Sequence, residues 1–260
     1  MKHSIAAILA RFLSLALLGT IAFACQSGSQ NEVQRIWDFE VMKIEKKVKV
    51  GKDSAVVSIS YPEFAELGLQ KLLEQRIVQS MSFGEQPDTL SLDLSVQDFL
   101  DKFLDLKKEF PDSNSWEFSL DARVSFQGDS LLSLVLESFS YTGGAHPNSF
   151  RSYLNYEKDA KSEIPNADLV LDEKALLTKA ELEFRNYHDV EDGVSLKDDG
   201  RFFLNEGDMF FLPAAMGYEP GHLVLYYGSY EIGAYAMGPT ELKIPLSDLI
   251  GVVAYAVKKH

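Results

Sequence analysis

Two stretches of this chain hold residues whose types and spacing suit molecular recognition. The first is Tyr141-Thr142-Gly143-Gly144-Ala145-His146-Pro147-Asn148. Its paired glycines permit positive φ and close backbone approach, and Pro147 fixes the exit. The second runs Tyr226-Tyr227-Gly228-Ser229-Tyr230-Glu231-Ile232-Gly233-Ala234-Tyr235-Ala236-Met237-Gly238. It sets four tyrosines and one carboxylate among small residues. Tyrosine is apolar and hydrogen-bonding at once, a property that suits glycan stacking and protein interfaces. Tyr141, His146, Asn148, Tyr226, Tyr227, Tyr230, Glu231 and Tyr235 are therefore the candidate binding residues. Each stretch also has a purely structural alternative. The first would be an inter-strand turn with His146 bonded to backbone. The second would be core-packed tyrosines with only their hydroxyls wet.

Catalytic patterns are missing from the chain. There is no Gly-x-Ser-x-Gly elbow, no phosphate loop and no dinucleotide fingerprint. Of the five histidines, His3 falls in a leader and His260 is the last residue. His146, His188 and His222 show no His-x-His or His-Glu-x-x-His spacing, so a metal site would need distant segments to converge. Acidic pairs occur at Asp172-Glu173, Glu191-Asp192 and Asp198-Asp199. Among 39 acids such pairs arise by chance and read as solvated surface. The expectation is a non-enzyme without cofactor or metal. A hydrolase built from His146, His222 and scattered acids is an alternative.

The N-terminus carries an address. Lys2 and Arg11 precede an apolar run of about a dozen residues, too short to span a bilayer and right for a secretory signal. The run ends in Ala22-Phe23-Ala24-Cys25, which resembles a bacterial lipobox, although Ala22 stands where that pattern has Leu. Residues 1–24 read as a signal peptide, and Cys25 as the lipidation site. Residues 25–35 then form a small, polar tether. Cys25 is the sole cysteine, so an intrachain disulfide and a cysteine zinc site are both excluded. The expected protein is exported and lipid-anchored to a bacterial membrane, on the periplasmic or cell-surface side. No later segment is long and apolar enough to cross a membrane. Loss of Lys2 and Arg11, with no acids, takes the formal charge from −14 to −16. That charge disfavours nucleic acid, which needs clustered Lys and Arg.

These stretches must be positioned by elements that the periodicity outlines. Hydrophobic residues make up 46% and charged residues 25% of the 260, enough for one large or two small globular domains. Alternation predicts strands at 36–50 and 55–61, a hairpin that Pro62 ends. Helical spacing predicts helices over 67–83, 95–110 with Ser95 as cap, and 172–188 with Asp172 as cap. Two β-rich runs, 116–127 and 130–142, flank Gly128-Asp129 as a hairpin. Further strands are expected at 150–156, 202–204, 209–212, 223–229 and 241–244. Residues 247–257 fit a helix or a strand equally. Most strand pairs join by hairpins and the helices interleave irregularly. That argues an α+β fold of mainly antiparallel sheets with a few packed helices.

Certain motifs carry a family resemblance: Tyr141 to His146, Leu154-Asn155-Tyr156, Tyr230 to Pro239, and Ile244-Pro245-Leu246-Ser247-Asp248-Leu249. Together they resemble a bacterial extracytoplasmic domain of unknown function. That domain occurs in the lysozyme-sensing anti-sigma factor RsiV and beside the catalytic domain of the peptidoglycan deacetylase PdaC. The sequence departs from the family pattern at Pro147, at Gly233-Ala234 and at Asp159-Ala160-Lys161-Ser162. The resemblance implies an N-terminal α/β partner region over 36–140 and an RsiV-like domain over 141–260. It also implies a non-catalytic binding or sensing module of the cell envelope, with cell-wall glycan or a cationic wall hydrolase such as lysozyme as partner. A structural or assembly component of the envelope is the alternative.

Overall fold

The computed structural model describes residues 37–82 and 91–256. The expected signal peptide, Cys25 and the tether lie outside the described residues. Alternation along the first segments produces β1 (Phe39–Val50) and β2 (Asp53–Phe64), joined by a turn in which Gly51 adopts φ +61. β2 does not end at Pro62 as the sequence suggests. Pro62 pairs with Val41 of β1, and the strand runs on to Phe64. The N–H of Phe64 bonds the Gln70 side chain, so the Pro62 nitrogen two residues earlier faces the same way, off the β1 ladder. Pairing with β3 stops at Ser60, so the missing donor costs no ladder bond.

Six strands form the first sheet, in the order β1-β2-β3-β4-β5-β6. β3 is Trp116–Gln127, β4 Leu131–Tyr141, β5 Asn148–Glu157 and β6 Ser162–Glu163. β2 and β3 run parallel, and the other neighbours are antiparallel. α1 (Leu67–Met81) and α2 (Leu92–Glu109) make the crossover between the parallel strands. Glu66 caps α1, accepting from the N–H groups of Gly68 and Leu69 and from the Tyr156 hydroxyl. Ser91 caps α2, not Ser95, which lies inside the helix and bonds the Ser91 carbonyl. The signal that misplaces the cap is Ser95-x-x-Asp98, a pair without the usual Glu or Gln. Leu69, Leu73, Ile77, Phe99 and Phe103 from the helices bury against Val57, Ile59, Phe118, Leu120 and Leu136 of the sheet.

The second sheet has the order β7-β8-β9: Ala215–Glu219, His222–Tyr227 and Thr240–Pro245. β7 was not expected from the sequence. The runs 202–204 and 209–212, expected as strands, make only isolated bridges, Phe202 with Gly233 and Asn205 with Met209. Phe202 packs into the core without a ladder. α4 (Glu173–Tyr187) has Asp172 as its cap. It buries Leu176, Ala180 and Phe184 with Leu223, Leu225, Tyr227, Leu242 and Ile244. Two short helices, α3 (Asn166–Leu169) and α5 (Leu196–Asp199), flank it in sequence. Residues 247–256 form neither long helix nor strand. A 3₁₀ turn at Leu246–Asp248 leads into bends that bury Leu249 and Val253.

The sheets stack face to face, giving four layers: helices, sheet, sheet, helix. A buried polar cluster sets their register. The Ser133 hydroxyl donates to Asn155 Oδ1 (2.7 Å) and accepts from the Tyr218 N–H (3.1 Å). Asn155 Nδ2 donates to the Met216 carbonyl (2.9 Å). At Gly217 a Cβ would lie 2.0 Å from the Tyr153 ring, so only glycine lets β7 approach this closely. The fold is α+β with two mostly antiparallel sheets, as the sequence implies. No helix among the described residues is long and apolar enough to cross a membrane.

Candidate functional site

Two loops bring the candidate residues together. The first leaves β4 at Tyr141 and re-enters the sheet at Asn148. Gly143 takes φ +89 in its turn. The second leaves β8 at Tyr227 and returns at Thr240, with a 3₁₀ turn at Tyr235–Met237. The rings of His146 and Tyr235 stack with centroids 4.4 Å apart and planes at 27°. Tyr230 lies 5.4 Å from Tyr235 and 6.4 Å from His146. The Tyr235 hydroxyl reaches the Pro147 carbonyl at 3.4 Å, and His146 Nδ1 lies 2.9 Å from that same oxygen. Tyr230 is 57% exposed and Tyr235 38%, and His146 is exposed too. Three aromatic rings from two loops far apart in sequence thus form one surface cluster.

The cluster is held from beneath. Glu231 accepts from the N–H of Gly228 (2.7 Å) and from the N–H of Ala214 (2.9 Å). This ties the loop to itself and to the start of β7. Ile232 is buried in the second core. Gly233 lies against the tip of the Met237 side chain, where a Cβ would sit 2.5 Å from Cε, so a larger residue there would displace the Met237 thioether. Tyr230 adopts φ +69, a left-handed conformation that costs an L-residue roughly 1–2 kcal/mol. Lys161, Asp189, Asp208 and Tyr255 share that conformation, and of these five described residues only Tyr230 belongs to the exposed aromatic cluster.

The remaining candidates divide. Tyr227 is fully buried, with its hydroxyl on the Phe211 carbonyl at 2.7 Å, and burial pushes its phenol well above the usual range. Glu231 spends one oxygen on its own loop and the other on Ala214, just before β7. Tyr226 turns to the opposite side of β8, where the Arg151 guanidinium lies 4.3 Å from its ring centroid. Tyr141 accepts a bond from Asn114 Nδ2 at 3.3 Å. Asn148 is exposed at the first position of β5, one residue beyond Pro147.

Sequence reasoning missed the charges beside Tyr226. Arg151 bonds Glu137 (2.5 Å) and Glu241, and Arg123 bonds Glu137 and Asp121. Burial opposes the Glu137 charge, but Arg123 and Arg151 outweigh it and hold the carboxyl below its ordinary range. Burial likewise opposes the Arg151 charge, and Glu241 and Glu137 more than restore it. A two-residue spacing of Arg123 with Asp121 was visible in the sequence, but the partners in β5 and β9 were not.

The histidines do not converge on a common centre. His188 Nε2 lies 2.8 Å from the Thr240 hydroxyl, and His222 Nδ1 lies 3.1 Å from the Pro220 carbonyl. Among the described residues, no group of three or more His, Cys, Asp and Glu is placed to hold a metal.

The structure is similar to a DUF3298 family protein from Pseudomonas aeruginosa PAO1. The two are 24% identical with a TM-score of 0.63, over 85% of this chain and 97% of the other. It is also similar to a member of the DUF3298 family from Bacteroides fragilis NCTC 9343. There the identity is 18% and the TM-score 0.65, over 85% and 94%. At these identities the likeness shows the fold. No curated protein matches the chain. Residues 48–149 match the family model described as deacetylase PdaC, and residues 163–247 match DUF3298, a family of unknown function, so the resemblance read from the tyrosine and glycine motifs is borne out.

Proposed function

We propose that this chain is a non-catalytic binding module of the bacterial cell envelope, anchored by a lipid on Cys25, that captures a cationic wall-cleaving protein such as lysozyme. The observation that carries the reading is the exposed cluster of His146, Tyr230 and Tyr235 where two loops meet, the tyrosine loop being fixed by Glu231. Preorganised tyrosines give large contact area at little entropic cost, which is why they dominate protein interfaces. The formal charge of −14 for the whole chain supplies the second half of the argument. A strongly acidic protein steers a cationic partner toward itself and speeds the encounter.

The test is the affinity of the full chain for lysozyme, measured by surface plasmon resonance. Tyr230→Ala combined with Tyr235→Ala is expected to weaken binding about a hundredfold, because two anchor rings go while the loop keeps Glu231. Circular dichroism should be unchanged. Unaltered affinity in the folded double variant, or no affinity in the parent chain, refutes the reading.

A further inference from the structure

The outer face of the six-stranded sheet is only partly covered. The second sheet lies over Val135 and Tyr153, packing Ala215 and Val224 against them, with Tyr226 alongside. Beside Tyr226 a groove of about 500 Å³ remains, lined by Ser58, Ser60, Ser119, Asp121, Phe139 and Ser149 among others. Its floor consists of two rungs that run straight across the strands. Ser58 pairs with Ser119, Ser119 with Phe139, and Phe139 with Ser149. In the next rung Ser60 pairs with Asp121, Asp121 with Glu137, and Glu137 with Arg151.

Two features of this floor point to a ligand. The first is its composition. Strand positions favour β-branched and aromatic residues, and here serines replace them on β2, β3 and β5, which gives the groove its depth. Among the described residues, none of the hydroxyls of Ser58, Ser60, Ser119 and Ser149 has a hydrogen-bond partner, whereas Ser133, further along the same face, is fully engaged. The second is its charge. Arg123 bridges Asp121 and Glu137, and Arg151 bridges Glu137 and Glu241. These two cations and three anions bind one another, in a chain that is otherwise heavily acidic. The groove therefore offers free donors and acceptors beside charges already spent.

We infer that this groove binds an uncharged oligosaccharide. A sheet face presents side chains and no free main-chain ladder, so an extended peptide would find no backbone partners there. Both arginines beside the groove are already paired, which leaves a polyanion only Lys43, opposite Ser60 at the β1 edge. Serine hydroxyls both donate and accept, and match the hydroxyl and acetamido groups of a sugar. The rings of Tyr226 and Phe139 supply the apolar surface that a sugar's C–H face requires. The site is distinct from the aromatic cluster but continuous with it in sequence, since Ser149 follows the His146–Asn148 turn. It does not depend on the lysozyme reading.

The experiment titrates the full chain with the tetramer of N-acetylglucosamine, followed by amide NMR and calorimetry. Saturable binding is expected at about 0.1–1 mM, with shifts centred on Ser58, Ser60, Ser119 and Ser149. Ser119→Trp fills the floor and should lower affinity about tenfold or more. Ser149→Trp, at the exposed end, serves the same purpose should the first variant fail to fold. Lysozyme capture by these variants should match the parent, because it rests on Tyr230 and Tyr235. The inference is overturned by absence of saturable binding, by shifts centred on His146, Tyr230 and Tyr235, by unchanged affinity in a folded tryptophan variant, or by tighter binding of a galacturonate tetramer than of the neutral sugar.

Discussion

Tyr226, Tyr227, Tyr230 and Tyr235 are one residue type within one short stretch, yet they meet two different fates. Tyr227 faces α4, loses all contact with solvent and gives its hydroxyl to Phe211. Tyr226 faces the first sheet and is covered by Arg151. Tyr230 and Tyr235 stand in water beside His146. The division follows the backbone. In β8 successive residues must point to opposite faces, and both faces are packed, so Tyr227 is sealed in the core and Tyr226, half-buried, can only line the groove beside it. Past Gly228 the chain leaves the sheet, and Glu231 rather than a ladder holds it. Only there can a tyrosine be both rigid and exposed. The comparison teaches that rigidity and exposure come from different residues. Glu231 supplies the first and Tyr230 with Tyr235 the second.

The largest expected effect tests that division of labour. Glu231→Ala removes the acceptor for the N–H groups of Gly228 and Ala214. Bonds to a charged group are worth about 1.5–3 kcal/mol each, and water can replace part of them at this half-buried position. We expect a loss of about 2 kcal/mol in urea unfolding, with weaker lysozyme binding although no contact ring is touched. Full binding by Glu231→Ala would mean that the aromatic cluster positions itself. A smaller effect comes from Tyr227→Phe. It leaves the Phe211 carbonyl without its donor and should cost about 1 kcal/mol in stability, with lysozyme affinity unchanged. A binding defect there would break the comparison, because a buried strand tyrosine would then be acting at the surface.

Much of this organisation was legible in the sequence. Period-two runs gave the β1–β2 hairpin and β3, and helical spacing gave α1, α2 and α4, because in each a single face is buried and the pattern is forced; β4, buried on both faces over Leu131 to Leu136, was given by its apolar run and the Gly128-Asp129 turn before it. Tyr-Thr-Gly-Gly-Ala-His and Tyr-Glu-Ile marked the two loops that meet. What escaped was set by tertiary contact. β7 reads Ala-Met-Gly-Tyr-Glu and ends at a Pro-Gly turn, so its glycine resembles loop chemistry. Its reason is the Tyr153 ring, distant in sequence. The apolar runs at 202–204 and 209–212 have strand composition but no strand to pair with at length. Within 226–238, composition cannot say which tyrosine is wet. The alternation of Leu223, Val224, Leu225, Tyr226 and Tyr227 does carry that signal for the first two, once the stretch is recognised as a strand buried on both faces.

The smallest expected effect on stability is the sharpest test of what Tyr230 is for. At φ +69 the side chain strains its own backbone, and glycine would relieve roughly 1–2 kcal/mol. Glycine also makes the unfolded chain more flexible, which offsets roughly 0.5–1 kcal/mol of the gain. Tyr230→Gly should therefore raise stability slightly, by about 0.5 kcal/mol in urea unfolding, and lower lysozyme affinity about tenfold or more. Most exposed substitutions leave stability nearly unchanged, so a rise coupled to a loss of binding separates a residue retained for contact from one retained for the fold. Were Tyr230→Gly instead to destabilise the protein by more than about 1 kcal/mol, the Tyr230–Tyr235 contact would be holding the loop. The tyrosine would then belong with Tyr227 on the structural side of the comparison.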